Sequence, residues 1–217
     1  MKRDNVIVFD LDETILSTSL RQYNVIKSFF QKNDLVINYT YQQYLKLRED
    51  QQISNLQFFR LNQFVEQHIS SFQIFYLEHI ESSFFLGFDT LLTELDYLKK
   101  LSIKYNCNLV ILSLRSNEKN SNEQMNTLGL DKIFDSFYFM KHSNKNNPKV
   151  KVLNELSLKY NLLYFIGDSK SDYESASESN TKFIKVNTNI YKFSYNGQQY
   201  SHINEYLKIE NDNNDTV

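Results

Sequence analysis

The stretch Asn5-Val6-Ile7-Val8-Phe9-Asp10-Leu11-Asp12-Glu13-Thr14 constrains the fold of this chain more than any other. An apolar run ends in two carboxylates one residue apart. Val6 to Phe9 is short, β-branched and aromatic, which is the composition of a buried strand. Strands buried on both faces belong to parallel sheets covered by helices. Ligands of such sheets sit at the carboxyl ends of the strands, where Asp10 and Asp12 emerge. Two carboxylates placed there repel each other unless a cation or a shared proton compensates.

The 217 residues suffice for one domain of about 150 residues with an insertion. Residues 15–85 contain no glycine and no proline. Apolar residues recur there at helical spacing: Val25, Phe29 and Phe30; Tyr44 and Leu45; Phe58, Phe59, Leu61, Phe64 and Val65; Phe72, Phe75, Tyr76 and Ile80. Such a pattern predicts several amphipathic helices packed together, inserted after the first strand. Strand and helix patterns then alternate. Strands are expected at Leu109–Leu112, Phe137–Met140, Leu162–Ile166 and Phe183–Val186. Helices are expected from Leu91 to about Tyr105, capped by Asp89 or Thr90, and from Asn117 to Leu128, closed by Gly129. Further helices start at Pro148, pass through Ala176 and span Ile203–Ile209. The expected class is α/β, with a mostly parallel sheet from residues 1–14 and 86–209, a helical insertion at 15–85 and a disordered tail at 210–217.

Composition excludes several classes. A net charge of -2 offers no basic face for nucleic acid. The single cysteine, Cys107, permits no internal disulfide, and the N-terminus lacks the pattern of a secretory signal. No apolar stretch is long enough to span a membrane. The expectation is a cytoplasmic protein without a membrane partner; the oligomeric state is not legible. The four histidines have no metal-ligand spacing.

Three strand ends carry reactive groups: Asp10 with Asp12, Ser113, and Asp168. If the strands are parallel, all three meet at one edge. Lys149 follows Pro148 at a helix start, where it can reach the same edge; Lys151 is the competing lysine. Arg115, two residues past Ser113, is either a ligand contact or a solvated loop residue. Lys46, Arg48, Arg60, His68 and His79 of the insertion are candidate readers of a bound molecule, most of them expected on plain surface.

These residues resemble the four motifs of the haloacid dehalogenase-like superfamily. Asp10-Leu11-Asp12-Glu13-Thr14 is similar to the first motif and Ile111-Leu112-Ser113 to the second. Pro148-Lys149 resembles the third, and Gly167-Asp168-Ser169-Lys170-Ser171-Asp172 the fourth. The order also matches, and the insertion falls where the phosphoglycolate-phosphatase-like branch carries a helical cap. The resemblance implies a Rossmann-like core, a mobile cap and Mg²⁺-dependent phosphoryl transfer from a small phosphorylated metabolite through an aspartyl-phosphate. Asp10 would be the nucleophile and Asp12 the general acid and base. The metal would be held by Asp10, the carbonyl of Asp12, and Asp168, with Asp172 and Thr14 in support. Ser113 and Lys149 would hold phosphoryl oxygens. The second aspartate favours phosphate-ester hydrolysis over dehalogenation. A sugar phosphomutase of the same superfamily and a catalytically weak phosphate-binding protein are the alternatives. Glu13 departs from the glycine usual at its position in that branch.

Overall fold

The computed structural model describes residues 4–63, 65–141, 143, 147–188 and 190–212. Phe64, His142 and residues 213–217 of the expected tail lie outside them. The chain builds a sheet with a helical block inserted after its first strand. In chain order the strands are β1 (Asn5–Phe9), β2 (Leu16–Ser17), β3 (Thr90–Leu91), β4 (Cys107–Ser113), β5 (Ser136–Phe139), β6 (Asn161–Gly167), β7 (Phe183–Val186) and β8 (Gln199–Tyr200). The helices are α1 (Ser19–Lys32), α2 (Tyr41–Gln51), α3 (Asn55–Arg60), α4 (Ile69–His79), α5 (Ser83–Leu86), α6 (Leu95–Lys104), α7 (Glu118–Thr127), α8 (Pro148–Lys159), α9 (Lys170–Glu178) and α10 (Ile203–Asp212).

Six strands form one sheet in the order β5-β4-β1-β6-β7-β8, and every pairing in it is parallel. This is the Rossmann-like α/β architecture. The first strand of the chain lies at the centre, between β4 and β6. Val6, Ile7, Val8 and Phe9 are fully buried because helices cover both faces. Alternate residues feed two clusters. Ile7 and Phe9 pack with Leu98, Leu101, Leu109 and Tyr206 on one face. Val6 and Val8 pack with Leu112, Leu153, Leu156 and Phe165 on the other. Phe9 stands opposite Ile111 of β4 and Ile166 of β6. That register places Asp10, Ser113 and Asp168 at one edge.

The helical block has a core of its own. Val25, Phe29 and Phe30 of α1 meet Tyr44, Phe58, Phe59, Phe72 and Phe75. Phe59 and Phe72 stack with centroids 4.0 Å apart. Ile15 and Leu16, expected in the insertion, pack in the sheet's core instead. Leu16 and Ser17 pair antiparallel with Leu91 and Thr90, so both connections to the helical block pass through a two-strand ribbon.

That ribbon corrects one expectation. The helix does not begin at Leu91 with Asp89 or Thr90 as its cap; Thr90 and Leu91 are extended, and α6 begins at Leu95. Leu91 and Leu92 have helical spacing with Leu95, but Leu92 N–H donates to the Ile15 carbonyl at 2.8 Å, and this tertiary bond claims the backbone. The expected tail also starts too early. Helix α10 continues to Asp212, and Glu210 accepts from Lys104 Nζ at 3.1 Å and from Tyr105 Oη at 2.5 Å. Strand β8 had no legible signal, being two residues long. Gly129 does follow α7 in the left-handed region, at φ 72°.

Removing the ring of Phe59 empties the centre of the helical block. Phe59→Ala should cost about 3–5 kcal/mol, read as a lower urea midpoint at unchanged slope.

Candidate active site

Asp10 follows the last residue of β1, and its N–H is held by the Ile166 carbonyl at 2.8 Å. The chain then turns sharply. Ile15 and Leu16 N–H both donate to the Leu11 carbonyl at 2.9 Å. Glu13 occupies the left-handed region at φ 61°, which glycine would enter at less steric cost. Here the glutamate stabilises the turn through its side chain. Its Oε1 accepts from Thr18 N–H at 2.8 Å and Thr18 Oγ1 at 2.6 Å.

Lys149 is delivered by the start of α8. Pro148 takes the first helical position, and the Asn147 side chain accepts from Lys149 N–H at 3.1 Å. Asn147 also donates to Ser175 Oγ of α9 at 2.6 Å, tying the two helices together. Lys149 Nζ reaches Asp10 Oδ1 at 2.5 Å and Asp172 Oδ1 at 2.6 Å. Lys151 points to solvent, its side chain 79 % exposed, so of the two lysines Lys149 is the one brought to the carboxylates.

Asp172 approaches because residue 167 is glycine: a Cβ there would sit 2.8 Å from the Asp172 side chain. Its second oxygen accepts from Ser169 Oγ at 2.6 Å, closing the N-terminal cap of α9. Asp168 accepts from Thr14 Oγ1 and Thr188 Oγ1, each at 3.4 Å. Thr14 thus faces Asp168 from the opening loop. Ser113 is buried at the end of β4, at the same edge of the sheet.

Oxygens of Asp10, Asp168 and Asp172 all lie within 4.8 Å of one another, and all three residues are buried. Burial is the largest influence on Asp10 and raises its carboxyl; Lys149 pulls it down, and Asp10 remains at about 7. Asp168 too is held well above the usual carboxylate range by burial and by the neighbouring Asp10 and Asp172. Burial opposes the charge on Lys149, but the carboxylates of Asp10 and Asp172 more than restore it. One ammonium faces three buried carboxylates. This donor set, hard oxygens in excess of local positive charge, fits a divalent cation such as Mg²⁺.

Asp12 faces elsewhere. Its carboxylate does not join the cluster; Arg115 holds it with Nη2 on one oxygen and Nε on the other, the latter at 3.2 Å. Arg21 of α1 adds an ion pair at 3.3 Å. Burial pushes Asp12 up, yet the two arginines outweigh it and keep the carboxyl well below its usual range. Arg115, expected as either ligand contact or solvated loop, is buried and structural in this arrangement. It also donates to Gln124 Oε1 at 2.5 Å and to Asp89 Oδ2 at 3.3 Å. Asp89 in turn pairs with Arg21 at 3.3 Å.

Sequence reasoning missed Arg21, Asp89, Gln124 and Thr188. None belongs to a motif, and the pairings are made by the tertiary fold: Gln124 meets Asp89 across 35 residues and Arg115 meets Asp89 across 26. Of the five candidate readers, Lys46 and Arg60 are exposed, and His68 and His79 are half-buried; His79 stacks on Phe75 at 3.9 Å. Only Arg48 among the five is buried.

Residues 7–186 match the model of a family described as haloacid dehalogenase-like hydrolases. The chain belongs to that family. It resembles solved structures across nearly its whole length. One is a haloacid dehalogenase-like family hydrolase from Streptococcus pneumoniae, 17 % identical over 94 % of this chain and 97 % of that one, TM-score 0.68. Another is a predicted phosphoglycolate phosphatase from Haemophilus somnus, 17 % identical over 96 % and 99 %, TM-score 0.64. A third is CbbY from Rhodobacter sphaeroides in complex with phosphate, 13 % identical over 92 % and 95 %, TM-score 0.60. No curated protein matches. Among the described residues no helix is long and apolar enough to cross a membrane.

The raised carboxyls set a pH dependence for the metal-free protein. An unfolded aspartate loses its proton near 3.8, whereas folded Asp10 keeps it to about 7. Between those values the native state binds more protons, so stability falls as pH rises. Asp89, raised to about 6 by burial against the pull of Arg21, adds in the same direction. In EDTA the melting temperature should fall between pH 4.5 and 7.5, and added MgCl₂ should restore more of it at pH 7.5 than at pH 4.5. A flat profile would contradict the buried cluster.

Proposed function

We propose that this hydrolase is a Mg²⁺-dependent phosphatase of small phosphomonoesters, with Asp10 as its nucleophile. The contact of Lys149 Nζ with both Asp10 and Asp172 carries the reading. It places a cation directly beside a carboxylate that must approach an anionic phosphoryl group. Asp10 and Asp168, with the Asp12 carbonyl, would hold the metal, which when bound supplies charge neutralisation for the incoming phosphate. Asp172 supports Lys149, since both of its oxygens are engaged by Lys149 and Ser169.

Asp10 Oδ would attack phosphorus as the leaving oxygen departs, forming an aspartyl-phosphate. Lys149 and Ser113 would balance the charge on the phosphoryl oxygens. Asp12, held ionised by Arg21 and Arg115, is poised to take a proton from the water that cleaves the intermediate. Protonating the leaving oxygen requires Asp12 to be released from those arginines first. Arg21 belongs to the helical block, so movement of that block as a cap would change the hold on Asp12. The near-complete burial of Asp10 also requires such movement for substrate entry.

Asp10→Asn should lower kcat on p-nitrophenyl phosphate at least a thousandfold, with circular dichroism unchanged. EDTA should abolish wild-type turnover and MgCl₂ restore it. A mutase would instead isomerise a sugar phosphate without net phosphate release, which a phosphate assay on hexose phosphates detects. Wild-type turnover by Asp10→Asn would refute the nucleophile.

A further inference from the structure

Glu13 is 5 % exposed. A carboxylate so far removed from water ordinarily pairs with a cation or fills both oxygens with donors. Among the described residues Glu13 does neither. Its donors, Thr18 N–H, Thr18 Oγ1 and, at 3.5 Å, Ser19 Oγ, all converge on Oε1. None of the described residues donates to Oε2. The cation whose charge Glu13 feels is Arg48. Arg48 is engaged elsewhere, its Nη1 donating to the neutral acceptors Gln22 Oε1, Tyr44 Oη and Asn55 Oδ1.

Glu13 lines a cavity of about 620 Å³ between α2 of the helical block, the end of β7 and the start of α10. Tyr41, Leu45 and Glu49 line it from α2, where four-residue spacing puts them on one stripe. Burial is the largest influence on the Tyr41 phenol and raises it; the Glu13 and Glu49 carboxylates raise it further, so both acids stand near this one ring. No Lys or Arg among the described residues lines the cavity, and the one histidine that does, His202, is exposed. Asn204 lines it too, and its Oδ1 is buried without a hydrogen-bond partner. Leu92, Val186, Ile190 and Ile203 supply an apolar lining. None of Asp10, Ser113, Lys149, Asp168 and Asp172 reaches the cavity. Thr14 and Thr188, which both line it and both donate to Asp168, stand between it and the carboxylate cluster.

We infer that this cavity is a second ligand site, separate from the carboxylate cluster, and that it takes a small organic cation: a primary ammonium on an apolar stem. The inference goes beyond the phosphatase reading and does not depend on it. The ammonium donates to Glu13 Oε2 and balances the charge of Glu13 and Glu49, while the stem lies along Leu45, Leu92 and Val186. A cavity of this volume is in the range that holds metabolites, and its apolar lining suits a carbon chain better than a hydrated metal ion. The acids here are also not arranged as metal ligands: among the described residues the one group of three side chains close enough to share an ion is Asp10, Asp168 and Asp172. Through Oε1, Glu13 fixes Thr18 just ahead of α1, so an occupant of the cavity touches the turn that carries Asp10 and Asp12.

The test is calorimetric titration of the full chain, with MgCl₂ present, against three probes of equal stem length: pentylammonium, 1-pentanol and pentanoate. Pentylammonium should bind at one site with a Kd of about 1 mM or tighter, and the other two at least tenfold more weakly. Glu13→Gln keeps the acceptor that Thr18 needs and removes the charge; it should weaken pentylammonium at least tenfold. Glu49→Gln should weaken it at least threefold, and Asp10→Asn should leave it unchanged. Absence of binding by pentylammonium overturns the inference, as does equal binding of the ammonium and the alcohol, or an affinity that survives both glutamine variants. Loss of binding in Asp10→Asn would place the amine at the carboxylate cluster, and displacement by equimolar KCl would make this a site for an inorganic cation; either result overturns the inference. If Glu13→Gln does not fold, Glu49→Gln and the comparison of probes on wild type decide. No arm reads turnover, so failure of the phosphatase reading leaves this result standing.

Discussion

The contact between Lys149 and the carboxylates of Asp10 and Asp172 is the interaction on which the rest of the site depends. Three carboxylates within 4.8 Å of one another in a buried pocket would be strongly unfavourable alone. A single ammonium offsets part of that repulsion and leaves a deficit that suits a divalent ion. The fold is arranged to deliver this one side chain. Pro148 sets the first turn of α8, Asn147 caps it and ties it to Ser175, and Gly167 leaves space for Asp172. Removing Lys149 would leave buried negative charge uncompensated, at a cost of about 3–5 kcal/mol.

A second charged assembly lies beside the first, and in it cations and carboxylates are equal in number. Arg21 and Arg115 share Asp12 and Asp89, and Gln124 bridges them by accepting from Arg115 and donating to Asp89 Oδ2. The two aspartates of the opening motif, one residue apart, are therefore pushed in opposite directions: Asp10 upward by burial, Asp12 downward by two guanidinium groups. Groups of like chemistry with diverging proton affinities divide naturally into separate tasks. Because Arg21 comes from the helical block and Arg115 from the loop after β4, the state of Asp12 is coupled to how those two parts meet.

Much of this was legible in the sequence. The apolar run before Asp10, the strand before Ser113 and the Gly167-Asp168 turn identify three strand ends, and parallel pairing puts them at one edge. Pro148 marked Lys149 through helix-start chemistry. The phenylalanine spacing from Val25 to Phe75 marked the helical block. Other features left weaker traces. The ribbon of Leu16–Ser17 with Thr90–Leu91 is too short to show a pattern, and Leu91 reads as helical because its neighbours do. The helical run past Ile209 depends on Lys104 and Tyr105 gripping Glu210, partners about a hundred residues away.

The sequence by itself determined five of the sheet's six strands, the order of the motifs and the identity of the carboxylates, because local periodicity and strand-end chemistry are written in contiguous residues. Tertiary structure alone decided what each charge faces. Asp12 meets Arg115 across 103 residues, and Arg115 meets Asp89 across 26. Arg48 is set apart from the other candidate cations only by being buried among neutral partners. Electrostatic environment is a property of three-dimensional neighbours and of exclusion from water, and neither quantity can be read along the chain.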